Sequence, residues 1–361
     1  MNTNSKVHIS WIEAVSLLTV SQIFSTIAFS LESQNGLSAI SGMLAFVIGT
    51  LFNFVIIIPF ILLSNRFGYN SLLQLSFKLL GKAFGCIVSV ILLAYLILVA
   101  TSTVTVYEGF LTATLFQDSP SAVIISLLIF ASAYGVYLGI EALGRFANIV
   151  FLLVSISVFV ILLSLIKNIN ILNFGSTNLE DVKTILKTAV QGVLSNTGLI
   201  AALILASNVN KKHSKSFLFW NIASLLIVET IAFSVNGVLG EYALGKEYPY
   251  YNAATIAEFS IFKRLDIVYM CVWILVAFIK TAYYLLLAKN VLDNILQINI
   301  KKYSLLFCST VVFLLSFACS LQTKYYEYIK VFIGSGFVLI GFVILLPFIL
   351  LLKGRKSHEN V

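Results

Sequence analysis

Apolar residues in this chain fall in long runs of bilayer-spanning length, separated by short polar connections. Ten runs are predicted as transmembrane helices, at roughly 8–31, 38–63, 84–110, 120–139, 144–166, 185–207, 216–240, 266–290, 303–321 and 328–352. The longest connections, about 167–184 and 241–265, hold only some twenty residues each, so no soluble domain fits between the spans. The second is rich in tyrosine (Tyr242, Tyr248, Tyr250, Tyr251), which predicts a short helix at the outer interface.

The sixth run departs from the others. Its middle reads Gln191-Gly192-Val193-Leu194-Ser195-Asn196-Thr197-Gly198, a polar stretch bracketed by glycines at mid-membrane depth. A helix interrupted there frees backbone groups that hydrocarbon cannot satisfy, and such breaks survive where they line a buried cavity. The bland alternative is a small-residue packing face. The first run carries a polar section at matching depth, Ser21 to Thr26. Span six opens a second set of five on the opposite side from span one. The fold class expected is therefore an all-α polytopic membrane protein of ten helices arranged as a 5+5 inverted repeat. It forms a single membrane domain over 1–361, with halves 1–166 and 167–352 and a tail, 353–361.

Composition agrees: 60% of residues are hydrophobic and 11% charged, and the mean hydropathy is +1.00. In a soluble domain the net charge of +8 would point to nucleic acid. Here the basic residues sit between apolar runs, where they orient the chain, and nucleic acid is discounted. With the N-terminus cytoplasmic, fourteen of the 23 Lys and Arg lie inside, eight outside and one, Lys280, within a span, which places both termini in the cytoplasm. The four cysteines are scattered through apolar segments and read as small hydrophobes. The first run is too long for a signal-peptide core and is kept as a helix.

Lys280 lies near the middle of span eight, where an ammonium costs at least ~2.5–3.5 kcal/mol, so it should face the interior and find a partner. Glu229 and Glu108 are the obvious carboxylates, and Thr281 and Tyr284 share its side of the helix. Tyr95, Val99 and Ser102, at i, i+4 and i+7, give one face of span three; the spacing suits a pocket wall and also ordinary packing around one buried hydroxyl. Glu141 and Arg145 are spaced for a bracing ion pair. Nucleophile elbow, phosphate-binding loop and metal-ligand spacing are all missing from the sequence, so neither an enzyme nor a cofactor is expected.

A series of motifs then resembles one family. Gly139-Ile140-Glu141-Ala142-Leu143-Gly144-Arg145 is similar to the signature of the spore germination permeases, the B subunits of nutrient germinant receptors. In order along the chain come Leu80-Gly81-Lys82-Ala83-Phe84-Gly85, Glu108 with Ser119-Pro120, Tyr248-Pro249, Thr255-Ile256-Ala257-Glu258-Phe259, Arg264-Leu265-Asp266 and Phe278-Ile279-Lys280. The resemblance implies a LeuT-like member of the amino acid–polyamine–organocation (APC) transporter superfamily in the spore inner membrane. It would sense a small nutrient, an amino acid foremost, beside an A-type membrane subunit and a C-type lipoprotein. A stand-alone amino-acid permease is the alternative on the same fold. The polar or interrupted positions of spans one, three, six and eight fall at one depth. They predict a pocket formed by Ser25, Thr26, Tyr95, Val99, Asn196, Thr197, Gly198, Thr281 and Tyr284, with a ligand carboxylate on backbone N–H groups at the interruptions. Lys280 is expected to act as a fixed cation holding span eight against carbonyls of span one.

Overall fold

A computed structural model describes residues 9–28, 37–67, 72–174, 181–209, 213–258, 265–296 and 301–358. Among the described residues the regular structure is helical, with one isolated parallel bridge between Ile9 and Val209. The helices are α1 Trp11–Ala28, α2 Ala39–Ile56, α3 Ile58–Phe67, α4 Leu72–Leu80, α5 Lys82–Thr114, α6 Ser121–Leu138, α7 Ile140–Leu165, α8 Val182–Leu194 and α9 Thr197–Leu205. They continue with α10 His213–Leu239, α11 Pro249–Ile256, α12 Asp266–Leu296, α13 Lys301–Leu321, α14 Thr323–Gly334, α15 Phe337–Leu339 and α16 Leu346–His358.

Eight helices among the described residues are long and apolar enough to cross a bilayer, and they coincide with eight of the ten predicted runs. The sixth run is a bent pair, Val182–Leu194 and Thr197–Asn208, at 41°, and the first holds a shorter apolar helix, Trp11–Ser25. The chain is a multi-pass integral membrane protein.

Local chemistry sets the boundaries. Ser10 and Glu13 form a capping box on α1: the Ser10 N–H donates to Glu13 Oε2 at 2.7 Å and the Glu13 N–H to Ser10 Oγ at 3.2 Å. The second run breaks at Ile57, just before Pro59, whose ring is incompatible with a continuous helix. Gly139 joins α6 to α7 at φ 94, a backbone setting that L side chains rarely adopt. Five residues on, a Cβ at Gly144 would come within 3.1 Å of the Glu13 side chain, so this glycine lets α7 close on α1. The intervening Glu141–Arg145 pair is 3.9 Å apart and well exposed, so it adds little energy.

At the centre stands α12, which packs on α1, α5, α6, α7 and α13. Ten consecutive residues, Ile279 to Ala288, are buried, as expected of a helix enclosed on all sides. To one side of it α2 packs on α8 and α10. The predicted outer-interface helix forms as α11, but it leans inward: Pro249, Tyr250, Ala253 and Ala254 are buried.

Candidate functional site

The sixth span breaks at Ser195–Asn196, between the two glycines. Asn196 restarts the helix, its Oδ1 accepting the Gly198 N–H at 3.0 Å. Gly192 lies inside α8 with open space around its missing Cβ. Gly198 is confined: a Cβ there would approach Trp220 Cζ2 to 2.8 Å, Asn196 Oδ1 to 3.0 Å and Gln22 Oε1 to 3.3 Å. The glycine's absent side chain is thus what lets α9 lie against α1 and α10.

The first span is not interrupted where it is described. α1 runs unbroken from Trp11 to Ala28, and its sequence contains neither glycine nor proline to stop it. The second break falls in the last span instead, at Ser335–Gly336, followed by a π-helical stretch, Ile340–Leu345. Gly336 has φ 71, and a Cβ on it would meet Leu194 Cβ at 2.7 Å. The two breaks therefore abut, the end of α8 against the turn after α14.

Beside these breaks is a cavity of about 690 Å³, within the ~300–1,000 Å³ range of small-molecule sites. Ser25 and Gln22 reach it from α1, Val99 and Ser102 from α5, Asn196 and Thr197 from the break, and Lys280 from α12. The structure brings together five of the ten residues named from sequence: Ser25, Val99, Asn196, Thr197 and Lys280. Tyr284 supports the lining, its hydroxyl donating to Thr197 Oγ1 at 2.8 Å. Gly198 sits behind the wall, and Tyr95 and Thr281 are buried outside the lining with unpaired hydroxyls among the described residues. The side chain of Thr26 lies outside the described residues, as do Phe259 and Arg264 of the motifs.

Lys280 is buried, and Nζ donates to Ser25 Oγ at 2.5 Å. Phe24 and Tyr284 present ring faces to it, with centroids 5.1 and 6.0 Å away. No carboxylate lies within 4.0 Å of it among the described residues, Glu229 and Glu108 included. The link from α12 to α1 exists, and it runs to the Ser25 hydroxyl.

Sequence reasoning did not place spans two and seven at the pocket, and named Glu229 there only as a partner for Lys280. There α2 and α10 contribute Asn53, Asn221, Ser224 and Glu229, with Asn53 Nδ2 donating to Asn221 Oδ1 at 3.2 Å. Single polar residues inside apolar runs were the available signal. The cavity reaches the surface between α8 and α14, where Gln191, Gly192, Glu327 and Lys330 are exposed. Tyr250 of α11 closes another side. Next to it, outside the spans, the Tyr248 hydroxyl donates to Glu247 at 3.0 Å; burial and then that carboxylate push the phenol above its ordinary range.

The profile of a family described as spore germination protein matches residues 8–325. None of the curated proteins matches. Among solved structures, the chain is similar to a manganese transporter of Eremococcus coleocola: a mutant form at 12% identity and a complex with an aromatic bis-isothiourea substituted compound at 14%. Both have a TM-score of 0.48 and cover 96% of this chain and 80% of the other.

Proposed function

This chain belongs to the spore germination protein family, and we propose on that footing that it is the nutrient-sensing membrane subunit of a germinant receptor. It binds a small nutrient, an amino acid foremost, in the cavity beside the α8–α9 break and signals to an A-type membrane subunit and a C-type lipoprotein. The ten spans form a LeuT-like 5+5 inverted repeat in the spore inner membrane, with both termini cytoplasmic and the α8–α14 mouth on the outer side.

The observation that carries the reading is a cavity with polar groups set in a largely apolar lining, at a helix break within a membrane bundle, with a buried lysine whose hydrogen bond runs to a hydroxyl. A lysine with no carboxylate beside it among the described residues contributes little to stability and is retained for a ligand or a switch. Binding shifts the bundle between states by differential affinity, and a partner subunit reads the shift.

The test is the nutrient dose-response of spores carrying Val99→Trp, with the protein quantified in the membrane. Val99 is buried and lines the cavity, so the indole fills ligand space. Loss of response, or at least a tenfold rise in the half-maximal nutrient concentration, is expected; an unchanged curve at normal protein level overturns the site. Uptake of labelled amino acids by the reconstituted chain alone separates sensor from permease: concentrative uptake without partners would make it a permease.

A further inference from the structure

Three side-chain oxygens on the α2–α10 wall have no hydrogen-bond partner among the described residues: Asn53 Oδ1, Ser224 Oγ and Glu229 Oε1. All three residues line the cavity. Asn53 and Ser224 are more than nine-tenths buried, and the Glu229 oxygen is itself shielded from solvent. A buried acceptor left unpaired costs about 1–3 kcal/mol, and more if charged, so three on one wall is an expense that a donor-rich occupant would remove. Elsewhere in the lining, Lys280 Nζ and the Thr197 N–H at the start of α9 are donors, and the Thr197 N–H has no partner among the described residues.

We infer that the α2–α10 wall is a cation subsite in which the Glu229 carboxylate, with Asn53 and Ser224 deeper along the same wall, receives the ammonium of a zwitterionic ligand. The acidic end of that ligand faces Lys280, Ser25 and Thr197. This orientation rests on the reading that the cavity holds the nutrient, and it adds what that reading lacks, the residue that demands an amine. An ammonium is preferred over a divalent metal ion because the wall offers a single carboxylate, and no group of three or more His, Cys, Asp or Glu side chains occurs among the described residues. Glu229 lies about 7.5 Å along α10 from Ser224, at ~1.5 Å of rise per residue, so the amine sits at Glu229 while Ser224 and Asn53 meet further donors of a longer ligand.

The experiment uses purified full-length protein and the twenty protein amino acids, screened by ligand-induced rise in unfolding temperature. The amino acid with the largest effect is then compared with the carboxylic acid that lacks its amine. In the wild type the amino acid binds more tightly. In Glu229→Gln that advantage falls by roughly 10- to 100-fold, the worth of one charge-assisted hydrogen bond of about 1.5–3 kcal/mol, while the amine-free acid binds as before. Should Glu229→Gln not be recovered from the membrane, Glu229→Asp must weaken the amino acid and spare the amine-free acid. Unchanged amine preference in either variant, or equal weakening of both ligands, overturns the cation subsite. If Val99→Trp abolishes binding in that same case, the cavity remains the site. If no amino acid stabilises the wild type, or if the effect survives Val99→Trp, the functional reading and the subsite fall together.

Discussion

The contact between Lys280 and Ser25 makes a prediction whose sign distinguishes a functional lysine from a structural one. Burying an ammonium mid-span costs about 2.5–3.5 kcal/mol on insertion scales. Among the described residues its one hydrogen bond, Nζ to Ser25 Oγ at 2.5 Å, returns about 1.5–3 kcal/mol, the range for a hydrogen bond to a charged group. The two nearly cancel. Lys280→Met keeps most of the volume and removes both quantities, so stability should stay within about 1–2 kcal/mol of wild type or rise slightly. Ser25→Ala removes the return but not the cost, and should destabilise by about 1.5–3 kcal/mol. In the double variant the serine has nothing left to satisfy, and its removal should cost well under about 1 kcal/mol, a coupling readable by a double-mutant cycle. Thermal unfolding of the four purified full-length forms measures this. Spores carrying each form should contain normal amounts of protein, and those with Lys280→Met should not respond to nutrient. Equal cost of Ser25→Ala in both backgrounds would refute the energetic role of the contact. Loss of the Lys280→Met protein from the membrane would refute the functional role of the lysine.

Gly198→Ala forces a methyl to 2.8 Å from Trp220 and should cost about 1–3 kcal/mol by overpacking, whereas Gly192→Ala, with nothing within 4 Å and inside α8, should be neutral or stabilise by about 0.5–1 kcal/mol; unfolding temperatures of the two variants check the contrast. Tyr284→Phe deletes the hydrogen bond to Thr197, should cost about 1 kcal/mol, and should raise the nutrient concentration for half-maximal germination while leaving the maximal response intact.

The membrane class and the helix positions were legible because burial in lipid demands long apolar runs whatever the tertiary fold. The break at Asn196 was legible too, since a Ser-Asn-Thr stretch inside such a run competes with the helix by capping it. Gly334-Ser335-Gly336 offered the same kind of signal within the last run, and only the structure shows that it too marks a break, packed on Leu194. The polar section of α1 left the matter open: polar side chains without glycine or proline leave the backbone intact, and Gln22 and Ser25 reach the cavity from an unbroken helix. The α2–α10 wall was hidden because its defining contact, Asn53 to Asn221, joins residues 168 positions apart, and no local pattern encodes such a pairing. For Lys280, the need for a partner followed from burial, but the choice of a hydroxyl over Glu229 depended on packing between helices.

The central place of α12 also governs the order of synthesis. Ser25 and Lys280 are 255 positions apart in the chain, so at ~5–20 residues per second the first helix waits roughly 13–50 s for the helix that encloses its polar face. During that interval α1, eighteen residues long, can pack on α7, α9 and α10 as they emerge, but Ser25 still lacks its lysine. Substitutions that weaken the α1–α12 contact therefore act first on the half-made protein, lowering the amount that reaches the folded state before any function is tested.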